Sequence, residues 1–148
     1  MPETETMKRA REDQAEGKSP STQAGEFVRE EFHHIRAGKH GARSTKQAIA
    51  IGLSKARRAG VKLPPPRKGK VSEAVRRHAQ RDYQKGRNGS GKPSRVRSGA
   101  VIKALRREGH QAASKAAISR QARRSARNRT ASERSAAARK AANTRLAA

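Results

Sequence analysis

Four arginines, Arg120, Arg123, Arg124 and Arg127, recur at i, i+3, i+4 and i+7. A helix through them gathers their guanidiniums into one stripe. Each guanidinium is a planar, permanently charged fork whose paired N–H groups match two phosphate oxygens at once. Arg106, Arg107 and Arg129 extend that set, and Arg57, Arg58, Arg67, Lys68 and Lys70 complete the candidate phosphate contacts. The chemistry expected of all twelve is neutralisation of a polyanion.

Two other patterns fall short of a site. Gly86-x-x-x-x-Gly91-Lys92 has the spacing of a phosphate-binding loop. Pro93, however, stands where a Ser or Thr hydroxyl would hold magnesium, and no apolar strand precedes the loop. His33, His34 and His40 lie near Glu30 and Glu31, with Glu30 and His34 at i, i+4. Two ligands do not complete a metal centre, so these histidines are expected to face solvent or nucleic acid. No serine, histidine and carboxylate arrangement stands out, so no catalytic residue, metal or cofactor is assigned, and the chain is expected not to be an enzyme.

The surrounding composition decides what partner such cations serve. Of 148 residues, 32% are hydrophobic, 2% aromatic and 33% charged, and the net charge is +25. Residues 1–34 hold eight acids against five bases, whereas residues 35–148 hold 32 bases against four acids. So concentrated a cation points to nucleic acid or an anionic surface. A membrane surface is disfavoured because the Ala-rich tail lacks the Leu, Phe or Trp face of an interfacial helix. Stacking platforms are nearly absent, with Tyr83 the one aromatic beyond Phe27 and Phe32, and this argues for sequence-tolerant phosphate binding over single-strand base reading. The absence of cysteine excludes disulfides and thiolate metal sites. The first twenty residues have no apolar stretch, which argues against a secretory signal, and a cytoplasmic, nucleoid-associated location is expected.

The elements that must position these residues are helical, and the fold class expected is mainly α: a small helical hairpin, further short helices, and long basic, partly disordered tails. Residues 1–23 read as a disordered tail of mixed charge. Residues 24–60 read as the hairpin. Val28, Phe32 and Ile35 fall on one helical face, with Phe27 beside them, and Gly38 supplies a stop. Ser44 and Gln47 have capping-box spacing before a second helix carrying Ile49 and Leu53, and Gly60 ends it. Residues 61–71 form a Pro-rich basic linker. Residues 72–109 form a basic helical segment, capped by Ser72, with Val75, Ala79 and Tyr83 on one stripe and a Gly-rich linker at 86–94. From 110 to 148 the chain is Ala/Arg-rich and of low complexity, expected as nascent helix that firms up on a polyanion.

The segment Glu26–Pro66 resembles a family of small basic bacterial proteins catalogued as a domain of unknown function, some members of which carry plasmid-stabilisation or DNA-binding labels. The resemblance rests on Gly38-Lys39-His40, Lys46–Leu53 and Ala56-Arg57. It implies a bacterial, cytoplasmic protein with a nucleoid or plasmid role, and carries over no catalytic residue. The function expected is non-enzymatic binding of nucleic acid, double-stranded DNA first, largely independent of base sequence. The alternatives are an RNA- or ribosome-associated protein and a plasmid-maintenance regulator that uses 24–60 to bind itself or another protein. The acidic N-terminal tail is expected to compete with DNA for the basic region.

Overall fold

The computed structural model describes residues 2–89 and 93–147, which fall into two units, Met1–Ala113 and Ser114–Ala148. Among the described residues there are helices and no strands, so the expected fold class holds.

The first unit is built around α2 (Pro20–Arg36) and α3 (Thr45–Arg58). The start of α2 lies four residues before the apolar pattern begins, because Pro20 occupies the first helical turn, where its missing N–H costs nothing and its fixed φ suits the helix. The stop at Gly38 is as expected. Its φ of +72° is left-handed. Its N–H donates to the Ile35 carbonyl at 3.1 Å, and the Lys39 N–H donates to His34 at 3.0 Å, the paired bonds of a Schellman motif. At the start of α3 the Ser44 hydroxyl accepts from the Gln47 N–H at 3.1 Å. The other half of the capping box is displaced by one residue, since the Gln47 carbonyl oxygen accepts from the Arg43 N–H at 2.7 Å.

Phe27 and Ile35 are wholly buried, as expected of the hairpin, while Phe32, Ile49 and Leu53 are only partly covered. Alanine supplies most of the remaining core. One cluster joins Phe27 to Ala10, Ala24 and Ala56, and the other joins Ile35 to Ala42, Ala48, Ala112 and Ala113. Such small side chains fill a core only if the helices approach closely. Gly52 permits this, because a Cβ there would meet the Val28 Cα at 2.7 Å.

The expectation of a disordered residue 1–23 tail gives way to α1 (Thr4–Ala15), whose Met7 and Ala10 pack on Ala24, Phe27 and Ala56. No run of apolar residues announced α1, because the surface that completes its buried face belongs to α2 and α3. The third expected helix is α4 (Glu73–Asn88), with the Ser72 hydroxyl accepting from the Val75 N–H. Only Ala79 of its expected stripe is buried. Val75 is 51% exposed and Tyr83 partly covered, since α4 meets α3 through polar groups as well. The Ser54 hydroxyl donates to Asp82 at 2.7 Å, and a Cβ at Gly86 would collide with the Arg57 carbonyl.

In α5 (Arg95–Leu105), Leu105 is buried and Val101 and Ile102 are exposed. The loop after α2 docks on the end of α5: the Gly41 N–H donates to the Leu105 carbonyl at 2.9 Å, and Ala42 to Gly109 at 3.0 Å. The low-complexity tail expected from residue 110 begins later. A short 3₁₀ turn at Gln111–Ala113 is core, with Arg36 Nε donating to the Ala113 carbonyl at 2.8 Å and the Thr45 hydroxyl to Ala112 at 2.7 Å.

The second unit contains α6 (Lys115–Arg127) and α7 (Ala131–Leu146). Both start at capping side chains that the composition-based reading passed over. The Ser114 hydroxyl accepts from the Ala117 N–H, and Thr130 and Glu133 form a full capping box. No helix among the described residues is long and apolar enough to cross a membrane.

Candidate nucleic-acid interface

Charge alone does not identify a phosphate contact; the cation must also be exposed and unclaimed by a carboxylate. Within the first unit most carboxylates are claimed locally. Each of the eight acids in residues 1–34 has a cationic partner between residues 8 and 55. Glu26 meets Arg9 Nε at 2.6 Å, Asp13 and Glu16 share Lys18, and Glu30 and Glu31 share Lys55. Glu5, Glu12 and Glu3 pair with Arg9, Lys8 and Lys39. Lys39, together with His34, holds the Glu3 carboxyl down at about 2, well below the usual carboxylate range. The expected competition between an acidic tail and DNA therefore loses its basis, because these carboxylates already neutralise neighbours in their own unit.

Arg57 departs from its expected role. It is buried, and its guanidinium donates to the carbonyls of Leu63 at 3.2 Å and Pro64 at 3.4 Å. Burial pushes its pKa down from the ordinary arginine value, with Asp82 opposing the shift. It is an internal anchor that folds the Pro-rich linker back onto α3, so it leaves the set of phosphate contacts. Arg58 is partly engaged, 3.6 Å from Asp82 and donating to the Ser54 hydroxyl. Arg67, Lys68 and Lys70 are exposed along the linker, and Arg106 and Arg107 are exposed just past α5.

The second unit carries the stripe. Arg120, Arg123, Arg124 and Arg127 are all exposed on α6, whereas Ala117, Ile118, Gln121 and Ser125 on the other side are partly covered. No acidic residue lies within α6. Like charges three and four apart repel by roughly 0.2–0.5 kcal/mol per pair, a penalty that a bound polyanion removes. Arg129 is exposed in the turn before α7, and its carbonyl accepts from Arg134 at 2.7 Å. The phosphate-loop spacing at 86–92 falls partly outside the described residues. Gly86 sits within α4 and Gly89 caps it.

A second constellation is internal, around residues that the sequence had suggested and that were expected to face solvent or nucleic acid. Of the three neighbouring histidines only His33 is exposed; His34 and His40 are buried, against the expectation that all face outward. Glu31 is fully buried, its Oε2 2.7 Å from Lys55 Nζ and its Oε1 3.3 Å from His40 Nε2. Glu30 accepts from the Glu3 backbone N–H at 3.2 Å. His34 Nε2 lies 2.8 Å from Glu3 Oε1. Helical spacing could have suggested Glu31 and His34 as an i, i+3 pair; nothing in the sequence placed His40, Lys55 and Glu3 around them.

Most of this internal network lies in the segment that matches a family model. Residues 17–68 match a family of unknown function (DUF6496). The resemblance carried by Gly38–His40, Lys46–Leu53 and Ala56-Arg57 thus holds at the level of a match to a family without an assigned function. No curated protein and no solved structure matches the chain. The DUF6496 segment spans α2, α3 and the Pro-rich linker to Lys68, and includes Glu30, Glu31, His34, His40 and Lys55. The arginine stripe on α6 lies beyond it.

Proposed function

We propose that the protein is a non-enzymatic nucleic-acid-binding protein that contacts double-stranded DNA through arginine and lysine, largely independently of base sequence, in a nucleoid or plasmid setting. The observation that carries this reading is the exposed stripe of Arg120, Arg123, Arg124 and Arg127 on a helix without a carboxylate. Its supports are the overall charge of +25 and the internal pairing of the N-terminal acids, which leaves the excess on residues beyond 58. Arg67, Lys68, Lys70, Arg106, Arg107 and Arg129 supply further exposed cations.

On this reading binding is counterion release. Each phosphate neutralised lowers the slope of log affinity against log salt by about 0.9 on duplex DNA. Fluorescence anisotropy of the nuclease-treated full chain on a short duplex, across a salt series and beside a structured RNA at matched salt, tests it. Steep salt dependence with duplex preferred supports the proposal. Tighter RNA binding transfers the same chemistry to RNA, and weak or salt-insensitive binding refutes it and directs attention to 24–60 as a protein-binding face.

A further inference from the structure

We infer that Glu31, His34 and His40 form a binding site for a divalent transition metal of the zinc type. One carboxylate oxygen and one ring nitrogen from each histidine lie within 4.8 Å of one another. Glu31 and His34 are one helical turn apart on α2, and His40 arrives from the loop fixed by Gly38 and Gly41.

The argument turns on a missing hydrogen. His40 Nδ1 is 3.0 Å from the Gly41 carbonyl, which only accepts, so Nδ1 carries a proton. In the neutral ring Nε2 is then a bare lone pair, and it lies 3.3 Å from Glu31 Oε1. Two acceptors thus lie within 3.3 Å of each other in a buried place. Glu31 Oε1 has no hydrogen-bond partner, and Glu31 is fully buried. An unsatisfied buried carboxylate oxygen is costly, and a cation between the two lone pairs removes that cost.

The geometry suits such a cation. Ligands about 2.0–2.1 Å from a tetrahedral zinc are about 3.3 Å apart, the separation seen between His40 Nε2 and Glu31 Oε1. Nitrogen and oxygen donors without sulfur favour zinc, cobalt or nickel over softer ions. The Nδ1–H to carbonyl bond of His40 is the outer contact that metal-bound imidazoles usually make. Lys55 does not block the site, because it holds the other oxygen, Oε2, at 2.7 Å.

The rival resolution is a proton: an imidazolium at His40 would donate to Glu31 Oε1 with no metal. Cobalt(II) titration of the EDTA-treated full chain distinguishes the two. One equivalent should bind with the visible bands of a low-coordinate site, zinc should displace it, and zinc should raise the melting temperature. His34→Gln and His40→Gln should each weaken cobalt binding at least tenfold, while His33→Gln leaves it unchanged. If a variant fails to fold, imidazole nitrogen shifts of the wild-type protein by NMR decide. A zinc-dependent shift of His40 Nε2 supports the site, and His40 protonated at both nitrogens and indifferent to zinc overturns it. Binding equal in wild type and in the double variant His34→Gln/His40→Gln would also overturn it, as capture by the exposed histidines.

Discussion

Replacing Gly52 with alanine should destabilise the first unit, although the same change in an open helix would stabilise it. The Cβ added at Gly52 would lie 2.7 Å from Val28 Cα, 2.9 Å from its backbone nitrogen and 2.9 Å from Cγ2. Ordinary carbon contacts are about 3.5–4.0 Å, so α2 and α3 must part locally by roughly 0.7–1 Å. Two of the three opposing atoms are backbone and cannot rotate away. Overpacking of this kind costs about 1–3 kcal/mol, against the gain of about 1 kcal/mol that alanine has over glycine within a helix. Separation of the helices also loosens Phe27 and Ile35 from Ala56 and Ala48, so a net loss of about 1–2 kcal/mol is expected. Gly25 is the internal control. It lies inside α2, and a Cβ there meets open space. Gly25→Ala should therefore stabilise by about 0.5–1 kcal/mol. Tyr83 is the one tyrosine of a chain without tryptophan, and it sits on α4, so its fluorescence reports urea unfolding of the first unit alone. A Gly52→Ala variant as stable as the parent, beside a Gly25→Ala variant that behaves as expected, would refute the close packing of α2 on α3.

Three further outcomes are expected. Replacing Arg120, Arg123, Arg124 and Arg127 together with alanine should make the salt slope of duplex binding shallower by about 3–4, from four phosphates at about 0.9 each, as read by anisotropy; an unchanged slope would show that α6 does not touch the backbone. Arg57→Ala should leave DNA affinity nearly unchanged but cost about 1–3 kcal/mol in urea unfolding, because it strands the Leu63 and Pro64 carbonyls, whereas Arg67→Ala should do the reverse. Thr130→Ala removes the capping box of α7 and should cost about 1 kcal/mol of helix stability, seen as fraying of residues 131–134 in amide exchange.

How much of this was legible in the sequence depended on whether a signal and its partner were neighbours in the chain. The stop at Gly38, the cap at Ser44 and the stripe on α6 are local patterns, and each appears in the structure at the expected residues. Thr130-x-x-Glu133 was equally local, but the alanine-rich composition around it obscured the cap. The start of α2 was misplaced because residues 20–23 carry no apolar pattern, although Pro20 at the first turn is a beginning. Long-range relations were not legible. Helix α1 depends on Ala24 and Phe27, Arg57 is sequestered by a linker that turns back on it, and His40 meets Glu31 only after the chain reverses at Gly38. A cation counted from composition is free until folding assigns it a neighbour.

The alanine-built core has a consequence for temperature. Unfolding exposes apolar area, and that area sets the heat-capacity increment, ordinarily about 12–15 cal/mol/K per residue. In the first unit Phe27 and Ile35 are the only large hydrophobic side chains fully withdrawn from water among the described residues. The increment per residue should therefore fall below the ordinary range, flattening the curve of stability against temperature. Such a unit loses little on cooling, since it depends less on the one contribution that weakens in cold water.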